Sequence, residues 1–176
     1  MLLGIGFLSS CASLTPQTEN RIASSLAAKE FNSISSTYMN RPTFVSSVIM
    51  KDGSQSLYVK VDSYGSAKGI LSLSYANRDF YVRSIDKFLE WEKKAKANKH
   101  AFNKEIGNVK ELSGRANYYL EFVSGNEQSH YLEVGIQASL AGKLEIASFD
   151  RSNALKLRKL LLGMPYSEQS VSSSYQ

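Results

Sequence analysis

Leu57-Tyr58-Val59-Lys60-Val61-Asp62 alternates apolar and polar side chains without a break, the period of a strand that buries one face and wets the other. Lys51-Asp52-Gly53-Ser54 lies just upstream, and its Asp-Gly pair suits a tight turn, so the run pairs with Phe44–Met50 as an antiparallel hairpin. Residues 70–75 and 80–83 read as two more strands that turn at Asn77-Arg78-Asp79. Ser84 then caps a helix running to about Asn98, with Asp86 and Glu90 near its positive end and Lys93, Lys94 and Lys96 near its negative end. Trp91 and Phe88 fall at core spacing on that helix.

The pattern starts again further on. Residues 118–123, 131–136 and 144–147 read as strands, with Leu132, Val134 and Ile136 opposing Tyr131 and Glu133, and a helix over about 152–162 ends at Gly163 and Pro165. Val82-Arg83-Ser84-Ile85-Asp86-Lys87 resembles Ile146-Ala147-Ser148-Phe149-Asp150-Arg151, each joining a short strand to a helix through a Ser cap. At the other end, Thr15-Pro16 followed by Ile22, Ala23, Leu26, Ala27, Phe31 and Ile34 predicts a helix ending near Ser35, then a linker over 36–42. The expected fold is α+β: antiparallel sheet with helices on one face, in pseudo-duplicated strands-then-helix units over about 43–98 and 115–163, preceded by the N-terminal helix. Residues 43–165 form the single domain, and the Ser-rich stretch 166–176 reads as a disordered tail.

A chain of 176 residues, 43% hydrophobic and 21% charged, has enough apolar surface for one core. Its 21 Lys and Arg against 16 Asp and Glu give a formal charge of +5. The excess is local: Lys93, Lys94, Lys96, Lys99, Lys104 and Lys110 face a single acid, Glu105, in that stretch. Such a run is either a solvated helix face or a patch for an anionic partner.

Few motifs carry chemistry. One cysteine forbids an intramolecular disulfide and a thiolate cluster, and His100 and His130 stand without a second ligand at metal spacing, both in positions expected at the surface. Ser84 and Lys87 have Ser-x-x-Lys spacing but lack the companion motifs of penicillin-binding enzymes. No phosphate-binding glycine loop, nucleophile elbow or dinucleotide fingerprint is present, so no catalytic residue, cofactor or metal is assigned.

The N-terminus carries an address. Leu8-Ser9-Ser10-Cys11 follows the uncharged run Leu2-Leu3-Gly4-Ile5-Gly6-Phe7 and resembles the lipobox of bacterial lipoproteins, a likeness confined to the first dozen residues. It implies that residues 1–10 are a signal peptide, shorter than the usual span of roughly 15–30 residues and without its basic start, and that Cys11 is acylated as the first mature residue. The other reading is an apolar element with a buried thiol. Ala12, where retained inner-membrane lipoproteins often carry Asp, implies the outer membrane, with the domain facing the periplasm.

Two functions follow. The first is a non-enzymatic, membrane-anchored lipoprotein that binds an envelope component, an anionic one included, or a protein partner. The second is a polyanion or single-stranded nucleic-acid module, in which Tyr58, Tyr81, Tyr119 and Tyr131 stand outward on an open sheet with Lys60 and Arg83 among them. An envelope hydrolase is a third reading with no residues to nominate. The expected binding surface is Tyr58, Lys60, Tyr81 and Arg83 adjoined by Lys96 and Lys99.

Overall fold

The computed structural model describes residues 15–63, 66–111, 114, 116–138 and 142–164. The leader, Cys11 and the tail 166–176 lie outside them. The chain lays down β1 (Pro16–Ile22), β2 (Ala27–Asn32), β3 (Thr37–Met50), β4 (Gln55–Ser63) and β5 (Ser66–Ser74), then a 3-10 turn (Tyr75–Asn77) and α1 (Arg78–Asn98). β6 (Lys104–Lys110), β7 (Asn117–Ser124), β8 (His130–Ala138) and β9 (Gly142–Phe149) lead to α2 (Arg151–Leu162). The nine strands form one antiparallel sheet in the order β5-β4-β3-β2-β9-β8-β7-β6, with β1 on β3.

The long strand β3 organises this sheet. Its first half pairs with β2, from Ala27 opposite Pro42 to Asn32 opposite Thr37. Its second half pairs with β4 on one edge and β1 on the other, with Ile22 opposite Val45. The sheet then curls back on itself. The Tyr118 hydroxyl on β7 accepts from the Ser72 amide of β5 at 2.9 Å, and Gly69 of β5 packs on Ile146 of β9. Val45, Leu57, Val59 and Leu71 thereby share one core with Leu120, Phe122, Leu132, Val134 and Phe149. Tyr81, Ile85 and Phe88 of α1 and Ala154, Leu157 and Leu161 of α2 complete it. Arg158 of α2 joins the helices by donating to both carboxylate oxygens of Asp86, at 2.7 and 3.1 Å.

The architecture corrects the α+β expectation. The helix expected to end near Ser35 is not formed: residues 16–22 and 27–32 are strands, because the 14-residue β3 offers backbone pairing along its whole length. The apolar residues at helical spacing do not share a buried face there, since Leu26 is buried while Ile34 is 96% exposed at the hairpin tip. Asn32 fixes that tip by accepting from the amides of Ile34 and Ser35.

The resemblance between the two strand-to-helix junctions also fails. Residues 80–83 belong to α1, whose buried face runs Tyr81, Ile85, Phe88, Glu92, Ala95, and Ser84 is buried inside the helix rather than capping it. Ser148 is a strand residue of β9. The cap of α2 is Asp150, whose carboxylate accepts from the Asn153 amide at 2.9 Å. The basic stretch after α1 contributes an unforeseen strand, β6. Among the described residues, mostly antiparallel sheet with two helices results, in place of sheet layers matched by three helices.

Candidate functional site

The six residues expected to form a binding surface disperse. Tyr58 and Lys60 stand together on the outer face of β4. Tyr81 is in the core, because its strand is helix, and burial pushes its phenol up to about 12. Arg83 is on the solvent side of α1. Lys96 is engaged by the buried Glu92 one turn earlier, and Lys99 ends α1 in a left-handed conformation with φ 52°.

Around Tyr58 and Lys60 the outer face forms a concavity of about 600 Å³, completed by Glu19 and Arg21 of β1, Phe44 of β3 and Ile70 of β5. Arg21 and Lys60 lie over the Phe44 ring at 4.9 and 5.6 Å. Its charges balance, however: Lys60 is 3.6 Å from Asp62, and Glu19 lines the same wall as Arg21.

A different arrangement occurs along α1. Lys87 and Trp91 are one turn apart on the helix and Lys104 opens β6, so that two ammonium groups lie over the Trp91 ring, at 4.8 and 5.3 Å. Phe102 stacks on the buried Phe122 at 4.7 Å between centroids and remains 37% exposed. Trp91, Phe102 and Lys104 line a groove of about 380 Å³ with Lys94, Asn98 and His100, and Lys87 meets it through the Trp91 ring. Lys94 is paired with Glu90. Neither Lys87 nor Lys104 pairs with a carboxylate among the described residues, and Lys87 donates only to the Ile106 carbonyl at 3.3 Å. The groove is therefore cationic and aromatic, with surplus positive charge.

Its spacing predicts Trp91 in the core, and the structure leaves it only partly buried, against Phe102 and Phe122. The signal available in the sequence was Lys87 four residues before it. Lys104 reaches it only through the fold.

Tyr119 and Tyr131 belong to a third surface, the outer face of β7, β8 and β9. The Tyr119 ring is buried beneath Lys143, whose ammonium lies 4.7 Å above it and pairs with Glu105 and Glu121 at 3.2 and 3.0 Å. Its hydroxyl donates to Glu133 at 2.7 Å. Burial first, then the bond to Glu133, raises the Tyr119 phenol well above its usual range. Burial, together with the nearby Glu145 and Glu121 carboxylates, also raises Glu133. Tyr131 stacks on Tyr38 at 3.9 Å. Stacking tyrosines and free cations thus do not share one open face.

Among the described residues no group of three or more His, Cys, Asp and Glu side chains is placed to hold a metal ion, and no helix is long and apolar enough to cross a membrane. The sequence matches no known protein family and no curated protein. The chemistry of these surfaces therefore carries the functional argument.

Proposed function

We propose that the chain is a non-catalytic binding protein, tethered through acylated Cys11 to the outer membrane and facing the periplasm, which receives an anionic, phosphate-bearing envelope component in the Trp91 groove. One observation carries the binding half of this reading. Two lysines without acidic partners among the described residues flank a partly exposed tryptophan next to an exposed phenylalanine. An anion bridging Lys87 and Lys104 gains two charge-assisted hydrogen bonds, while its apolar portion covers Trp91 and Phe102. The tether rests on Leu8-Ser9-Ser10-Cys11 alone.

Trp91 is the only tryptophan, so its emission reports on the groove directly. A full-length Cys11→Ser chain, freed of any anchor, is titrated with phosphatidylglycerol vesicles, phosphatidylcholine vesicles and soluble glycerol phosphate. Phosphatidylglycerol should shift the emission to the blue, the effect should fade with salt, and Lys87→Glu with Lys104→Glu should weaken it by about tenfold or more. Equal responses to both vesicles, or a response indifferent to the two substitutions, would discard the groove. For the tether, mass spectrometry of the native N-terminus should find an acylated cysteine, and an intact Met1 with a free thiol would remove it.

A further inference from the structure

Pro16-Gln17-Thr18-Glu19-Asn20-Arg21-Ile22 forms β1 with six of its seven residues exposed and only Ile22 half-buried. Among the described residues β1 pairs with β3 alone, so its other edge is open. A strand that buries so little side chain and presents unpaired amides and carbonyls is a template for a further strand.

The ladders fix which residues face that edge. At the end of β3 the Met50 amide donates to the Ser54 carbonyl at 2.8 Å, and the next amide, Lys51, donates the other way to the Thr15 carbonyl at 3.1 Å. Successive main-chain groups of a strand point to opposite edges, so the even-numbered residues of β3 face β4 and the odd-numbered ones face β1. The Ser72 amide, which turns from β4 to Tyr118, gives the same parity when counted back through β5 and β4. Val45, Ser47 and Ile49 lie opposite Ile22, Asn20 and Thr18. Those three residues of β1 therefore bond to β3, while Glu19 and Arg21 turn their amides and carbonyls to the open edge.

The side chains of the same two residues select the partner. Both are exposed and stand on one face, beside Phe44, and neither joins an ion pair among the described residues; Arg21 lies over the Phe44 ring at 4.9 Å. When β1 meets an antiparallel copy of itself, outward residues must meet outward residues. A two-fold axis at Glu19 sets Glu19 against Glu19, and an axis at Arg21 sets Arg21 against Arg21. An axis at Asn20 sets Glu19 against Arg21 twice over. Opposite charges across a strand pair stabilise it and like charges destabilise it, so one register is favoured and its neighbours are opposed. In that register Thr18 of the second copy also comes opposite the half-buried Ile22.

We propose that β1 is a dimerisation edge, which pairs antiparallel with β1 of a second copy about a two-fold axis at Asn20, Glu19 of each chain lying against Arg21 of the other. The test uses the full-length Cys11→Ser chain, free of acyl groups that would themselves drive association. Sedimentation should show a reversible dimer of twice the 19.5 kDa chain mass, with a dissociation constant on the order of 10–100 μM for so small an interface. The Glu19 and Arg21 amides should exchange freely in dilute solution and become protected as the concentration rises.

Glu19→Arg and Arg21→Glu should each weaken self-association by about tenfold or more, because each sets like charges face to face. An equimolar mixture of the two variants should associate again, since the basic chain then meets the acidic one. Asn20→Cys in the Cys11→Ser chain should join two copies by a disulfide on mild oxidation, because the residue on the axis meets itself. Thr18→Cys should not, as its two copies would stand roughly 13 Å apart along the strands. A monomer up to about 1 mM, even one whose two amides are already protected by another part of the chain, overturns the proposal. So does a dimer unmoved by either charge reversal, a mixture no stronger than its components, or cross-linking through Thr18→Cys as ready as through Asn20→Cys.

Discussion

At Trp91 and at Tyr119 the same two groups meet, a lysine ammonium over an aromatic ring, at 4.8 Å in the first and 4.7 Å in the second. The surroundings are opposite. Lys143 over Tyr119 is neutralised by Glu105 and Glu121, and the ring is buried with its hydroxyl committed to Glu133. Lys87 and Lys104 over Trp91 meet no carboxylate among the described residues, and the ring is partly open. Cation–aromatic distance therefore does not mark a binding site. What distinguishes the two is charge left unneutralised beside apolar surface left uncovered: one cluster is closed structure, and the other has capacity to spare.

If the Tyr119 cluster is closed, it should tolerate no added volume. A Cβ on Gly135 would stand 2.3 Å from the Leu144 carbonyl and 2.6 Å from the Tyr119 hydroxyl, and the backbone atom cannot swing aside. Gly135→Ala should lower stability by about 3 kcal/mol, read from denaturant midpoints. A loss within experimental error would show that the face is not packed as described.

The second effect belongs to α1, one residue past Trp91. Burial alone would raise Glu92, but hydrogen bonds from Lys96 and Arg151 outweigh it and hold the carboxyl below its usual value. A depressed folded-state pKa contributes stability that is full above the unfolded value and is lost as pH falls through the folded one. Glu92→Gln should therefore cost about 2 kcal/mol at neutral pH and little in acid. A cost independent of pH would mean that size, not charge, matters at this position.

The contrast between the clusters also sets how much of the molecule was legible beforehand. Leu57–Asp62 and Leu132–Ile136 were readable because a half-buried strand writes its two faces into its own alternation. Ile22, Leu26, Phe31 and Ile34 mislead, because their helical spacing is local and the strand β3, which pairs with the segments holding Ile22 and Phe31, is not. Residues 80–83 carry both a short strand pattern and, through Tyr81, Ile85 and Phe88, a helical one; the helix prevails, which puts Tyr81 in the core. Lys60 beside Tyr58 was legible as a strand neighbour. Lys104 above Trp91 was not, since β6 brings it there from 13 residues away in sequence.

Truncating the two lysines sharpens the comparison further. Lys143→Met leaves Glu105 and Glu121 without their common partner, so it should lower stability, though by no more than about 1 kcal/mol at so exposed a site. Lys87→Met removes no ion pair and should leave the midpoint unchanged within about 0.5 kcal/mol, while reducing the response of Trp91 to phosphatidylglycerol. Equal stability losses in the two variants would erase the distinction.

The smallest expected effect lies in Glu133, the counterpart of Glu92 on the sheet. Burial, then the Glu145 and Glu121 carboxylates, raise its pKa against the opposing hydrogen bond from Tyr119. Because the folded value lies above the unfolded one, the folded protein binds the proton more tightly. The contribution is full below the unfolded value and is lost as pH rises through the folded value, the reverse of Glu92. Glu133→Gln keeps an acceptor for the Tyr119 hydroxyl and removes the charge. It should gain less than about 1 kcal/mol over the parent, and only on the neutral side of that window. Denaturant midpoints of parent and variant, compared between about pH 4 and 8, should diverge upward with pH. Parallel curves would mean that Glu133 ionises as an ordinary carboxyl, and that the face around Tyr119 is wetter than its buried ring implies.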